Sequence, residues 1–74
     1  MTVNELFNVW LHKKNPYAIV NVWNRSVGNY IFKTNPPIPN QNAEEIGKME
    51  VKCFFTSEEN GKNPILAINV GEYN

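Results

Sequence analysis

Nucleophilic catalysis needs a thiol or hydroxyl, a base that deprotonates it and a third group that orients the base. The chain has one histidine, His12, one cysteine, Cys53, and a hydroxyl candidate in Ser26. Cys53 falls in phase with Met49, Val51 and Phe55, which predicts a core-facing, inert thiol. His12 falls at the end of a predicted helix, where the macrodipole favours a cation. Glu44-Glu45 and Glu58-Glu59 are adjacent acidic pairs. Acid/base or metal chemistry needs convergent carboxylates, and sequence neighbours diverge on a helix or a strand. These pairs read as caps and solvated turns. One cysteine and one histidine cannot close a structural zinc site, which takes four ligands. Gly28, Gly47, Gly61 and Gly71 lie scattered and form no phosphate-binding loop. The expectation is a non-enzyme with no catalytic residue, no metal and no cofactor.

Aromatic side chains carry more information. A helix covering the strand face of Ala18, Val20, Val22, Val51, Cys53 and Phe55 leaves Ile19, Trp23, Phe54 and Ile65 on the opposite face. Such a face can stack flat groups, with Arg or Lys beside it for negative charge. The candidate interaction surface is Trp23, Arg25, Tyr30, Lys52 and Phe54. Three uses compete for it. An interface with a protein partner or a second copy ranks first, because exposed apolar surface usually marks one. Cover by a proline-rich loop ranks second. A nucleotide platform ranks third, and needs Arg25, Lys33 or Lys52 near Trp23, Tyr30 or Phe54. The glycine-aromatic consensus of the common RNA-binding sheet is absent.

Thr2 to His12 is an amphipathic helix with Val3, Leu6, Phe7, Trp10 and Leu11 on one face. Thr2 and Glu5 have capping-box spacing, and Asn15-Pro16 stops the helix. Tyr17 to Asn24 is a strand rich in β-branched and aromatic residues. Gly28 serves the turn into a second strand, Tyr30 to Lys33. Asn35-Pro-Pro-Ile-Pro-Asn is a stiff connector. Asn42 to Gly47 is one helical turn, capped by Asn42 and ended by Gly47. Lys48 to Thr56 alternates as a strand, Asn60-Gly61 signals a hairpin turn, and Ile65 to Val70 is the last strand. The predicted fold is α+β: an N-terminal helix on a four-stranded antiparallel sheet, with a short helical turn between strands 2 and 3, over residues 1–74 as a single domain.

Seventy-four residues bury only about 60% of the surface their unfolded form exposes. With no disulfide available, a two-fold homodimer is the expected route to extra stability. Seven basic residues balance seven acidic ones, which argues against dedicated nucleic-acid binding. No apolar run approaches the roughly 20 residues of a membrane span. The start carries an acid and no apolar signal region, and the lone cysteine suits a reducing compartment, so a cytoplasmic location is expected. The thirteen asparagines fit coding bias, placed largely in caps and turns.

Three stretches resemble small accessory proteins of Gram-positive bacteriophages and mobile elements. Met1-Thr2-Val3-Asn4-Glu5-Leu6 is similar to their capped opening helix. Glu44-Glu45-Ile46-Gly47-Lys48-Met49-Glu50-Val51-Lys52 resembles their short turn leading into a strand. Ile65-Leu66-Ala67-Ile68-Asn69-Val70 resembles their closing apolar strand. Pro36, Pro37 and Pro39 depart from the shorter, more polar connector of that group. The resemblance implies a dispensable gene product and assigns no functional residue. The expected function is binding of another protein, with inhibition of a bacterial defence system as one such role. The alternatives are a small-molecule or nucleotide-signal binder and a weak single-stranded nucleic-acid binder.

Overall fold

The computed structural model describes residues 1–13, 19–57 and 65–72, with backbone alone at 10–13. The elements run α1 (Val3–Lys13), β1 (Ile19–Asn24), β2 (Asn29–Lys33), α2 (Ala43–Gly47), β3 (Val51–Ser57) and β4 (Ile65–Val70). Helix α1 opens on the expected capping box. The Thr2 N–H and Oγ1–H both donate to Glu5 Oε1 at 3.0 Å, and the Glu5 N–H donates back to Thr2 Oγ1 at 3.3 Å. Two backbone bonds tie this end to the start of β3. The Val3 N–H donates to the Met49 carbonyl at 3.0 Å, and the Val51 N–H to the Met1 carbonyl at 2.8 Å.

Helix α2 is capped as expected: Asn42 Oδ1 accepts the Glu45 N–H at 3.2 Å. Gly47 has a different role from the expected stop signal. It is buried inside α2, and a Cβ there would overlap the Asn4 side chain. Its missing side chain lets α1 and α2 approach, while Lys48 closes the helix in the right-handed region.

The sheet is mixed, which corrects the all-antiparallel expectation. Its order is β2-β1-β4-β3. β1 pairs antiparallel with β2 and β3 antiparallel with β4, but β1 and β4 lie parallel at the centre. The cause is the connector at 34–50. It carries the chain from the β2 edge to the opposite edge, so β3 starts far from β2 and β4 returns into the gap beside β1. The connector also finishes the β2 edge, where Gln41 Oε1 accepts the Lys33 N–H at 3.2 Å. The Thr34 hydroxyl accepts the Val20 N–H at 2.9 Å.

The core follows from the central pair. Val20, Val22, Leu66, Ile68 and Val70 are all but inaccessible, and Val3 and Leu6 of α1 and Ile46 of α2 close over them. Phe7 packs alongside, as the predicted period requires; the side chains of Trp10, Leu11 and His12 lie outside the described residues, as does the turn at Asn60-Gly61. An apolar cleft of about 110 Å³ between the helices and Val20 and Phe32 belongs to this core.

Two predictions follow from these contacts. Ile68→Ala should cost about 2–5 kcal/mol in urea denaturation, enough to unfold much of a small domain, while Val27→Ala in the exposed turn should change stability by under about 0.5 kcal/mol. Hydrogen bonds from the Thr2 backbone, then its hydroxyl, hold the Glu5 pKa below the usual glutamate value. The stability this carboxylate contributes is present above the unfolded pKa, about 4.3, and is lost as pH falls through the lower folded value. Glu5→Gln should therefore lower the denaturation midpoint at pH 7, and its deficit should shrink on acidification below about pH 4.

Candidate interaction face

Both helices lie on one side of the sheet. The other side is described by cross-strand register, because directly paired residues share a face. Trp23 pairs with Tyr30 on one flank and Asn69 on the other, and Asn69 pairs with Cys53. One row on the open face is therefore Tyr30, Trp23, Asn69, Cys53. The next row is Lys33, Asn21, Ala67, Phe55.

Strand β3 departs from the expected alternation. The pairing shifts between Val51 and Cys53, leaving Lys52 as the extra residue of a bulge. Val51 still faces the helices opposite Val70. Beyond the bulge the faces exchange: Phe54 pairs with Ile68 on the helix side, and Cys53 and Phe55 turn to the open side. This overturns three assignments, with Cys53 and Phe55 leaving the helix-covered face and Phe54 joining it. Cys53 is exposed rather than buried. Phe54 belongs to the helix-covered side, not to the face of Trp23, although 46% of it stays exposed.

Of the five residues picked from the sequence, the structure brings Trp23 and Tyr30 together, with ring centroids 4.9 Å apart in an edge-to-face contact. Arg25 reaches the same face, its Nη2 donating to Cys53 Sγ at 2.9 Å. Lys52 sits in the bulge and pairs with Glu72, whose carboxyl is held below the usual range by that contact. Lys33 stands with its Nζ 5.0 Å from the centroid of the Tyr30 ring, a cation–π distance. Phe55, 60% exposed, was hidden from sequence reading by the bulge. Asn21, Ala67 and Asn69 were hidden because only strand order sets them side by side.

An open trough of about 300 Å³ lies on this face, lined by Asn21, Trp23, Tyr30, Phe55, Ala67, Ile68 and Asn69. No residue of the proline connector is among its lining. Asn21 Oδ1 is buried without a hydrogen-bond partner. Among the described residues no cluster of three or more His, Cys, Asp or Glu could hold a metal ion. No helix among them is long and apolar enough to cross a membrane.

Comparison of the chain with models of known families, with curated proteins and with solved structures finds no match.

The exchange of faces in β3 is checked by thiol chemistry. Cys53 should react with a maleimide in the native protein at close to the rate of the urea-unfolded chain. Strong protection relative to the unfolded chain would contradict the exposed placement of Cys53.

Proposed function

We propose that this chain is a non-catalytic binding protein that works by laying its open sheet face against another protein. The observation that carries this reading is the uncovered rings on the open face: Tyr30 is 41% and Phe55 60% exposed, in adjacent rows of a sheet whose central strands turn their other side to the core. Leaving large rings in water forgoes burial worth about 25 cal/mol per Å². Trp, Tyr and Arg are also the residues that dominate binding energy at protein interfaces. A sheet holds them at low entropic cost, because the backbone is already fixed. The resemblance to phage and mobile-element accessory proteins points to a bacterial cytoplasmic protein as the target and to blocking of a defence component as the effect. Surface occlusion needs no catalytic group.

The test is affinity capture from bacterial lysate with three forms of the tagged protein. Wild type and Val27→Glu, altered in the exposed β1–β2 turn, should retain the same partner. Phe55→Glu should lose it by at least about tenfold, as for a central interface residue, while keeping a native circular dichroism spectrum. Equal capture by all three forms, or no partner captured by any, contradicts the reading.

A further inference from the structure

We propose that the outer edge of β3 pairs antiparallel with β3 of a second copy, about a two-fold axis at Phe55, joining the four strands of each copy into one continuous sheet. This inference concerns the sheet edge and does not rest on the protein-binding reading of the open face.

The two edges of the sheet are built differently. β2 is finished by its own chain. Gln41 Oε1 accepts the Lys33 N–H at 3.2 Å, Asn29 Oδ1 accepts the Tyr30 N–H at 2.9 Å, and a bridge between Thr34 and Pro37 turns the connector back at the strand end. β3 has no such finish. Met1 and Thr2 pair with its approach at 49–51, and beyond Val51 no backbone hydrogen bond reaches its outer side among the described residues. Every residue from Lys52 to Ser57 is exposed. Natural edges are guarded by charge, proline or a bulge. The bulge at Lys52 lies ahead of the open stretch, and Cys53-Phe54-Phe55-Thr56-Ser57 carries no charge and no proline. It presents two large rings instead, one on each side of the sheet, 46% and 60% exposed. An edge left in this state is a template for another strand.

The backbone selects the occupant and the register. The Val51 N–H points outward, to the Met1 carbonyl. The bulge sets Lys52 and Cys53 together against Asn69, and alternation then resumes. The N–H and C=O of Phe54 and Thr56 therefore point outward, and those of Phe55 and Ser57 point toward β4. With the axis at Phe55, Phe54 of each copy lies opposite Thr56 of the other, and every one of these outward groups is paired. An axis at Phe54 would set Thr56 against Lys52, whose groups face β4. An axis at Thr56 would carry Phe54 past the end of β3. The chosen pairing spans Cys53 to Ser57 and stops short of Val51, where Met1 already lies. No like charges meet within it. A second copy closes both open edges in one contact and leaves only the finished β2 edges at the ends of the joined sheet. A 74-residue chain with a single cysteine gains from it the stability that no internal disulfide can supply.

Light scattering of the full chain from about 10 μM to about 1 mM should show the mass rise from monomer toward dimer, as for a small interface. Over the same range, amide exchange at Phe54 and Thr56 should slow, while exchange at Val27 stays constant. Phe55→Lys places two like charges opposite each other on the axis and should weaken the dimer at least about tenfold with a native circular dichroism spectrum. Directly opposed residues of this kind have Cα atoms about 4.5 Å apart, within disulfide reach. In a Cys53→Ser background, Phe55→Cys should therefore oxidise to a covalent dimer. Thr56→Cys, offset from its own copy by two positions, should not. A monomer throughout the range overturns the proposal, and this wild-type measurement holds even where a variant fails to fold. Exchange at Phe54 and Thr56 that ignores concentration, or cross-linking as efficient at Thr56→Cys as at Phe55→Cys, also overturns it.

Discussion

The parallel pairing of β1 with β4 is the contact on which the rest of the molecule depends. It sets Val20 beside Leu66, Val22 beside Ile68 and Asn24 beside Val70, so the side chains between those positions must point the other way. One register thus makes both the core and the open face. The apolar row recruits α1 and α2, and the intervening Asn21, Trp23, Ala67 and Asn69 form the centre of the trough. Sliding either strand by one residue would exchange the two sets. The cost of exposing the buried aliphatic side chains of the strand that slides, Val20 and Val22 of β1 or Leu66, Ile68 and Val70 of β4, each worth about 1.5–3 kcal/mol, fixes the register far more firmly than any contact on the open face.

The ends of the central pair are secured by polar detail. The Arg25 N–H donates to the Val70 carbonyl at 2.8 Å. Ser26 Oγ donates to the Glu72 carbonyl at 3.1 Å and accepts the Glu72 N–H at 3.0 Å. Gly71, at φ +79°, makes the turn that these bonds require, and a Cβ there would strike Asn24 and Ser26. The β1–β2 turn and the end of β4 are therefore one structural unit. It holds Arg25 at the rim of the open face.

Much of the fold was legible because it rests on local rules. The capping box of Thr2, the Asn42 cap, the burial of Val3 and Leu6, and the strict alternation of β4 all depend on residues a few positions apart. The mixed sheet was not legible, since it depends on where residues 34–50 lead the chain, and no local pattern encodes that path. β3 failed for a subtler reason. Met49, Val51, Cys53 and Phe55 alternate well enough to read as one face, but a single extra residue at Lys52 turns the second half over. Trp23 and Tyr30 were found because a hairpin joins them. Ala67 and Asn21 were not, because a small residue and an amide announce a site only once the strand between them and Phe55 is known.

The account stands on Phe55 sharing a face with Trp23 and Ala67. The most direct measurement is the set of nuclear Overhauser contacts from the Ala67 methyl group. Contacts to the Phe55 ring and the Asn21 side chain, with none to Phe54 or Leu6, are what the bulge at Lys52 and the central register require. Contacts from that methyl to Phe54 in place of Phe55 would remove the bulge, return β3 to simple alternation and take away one wall of the trough.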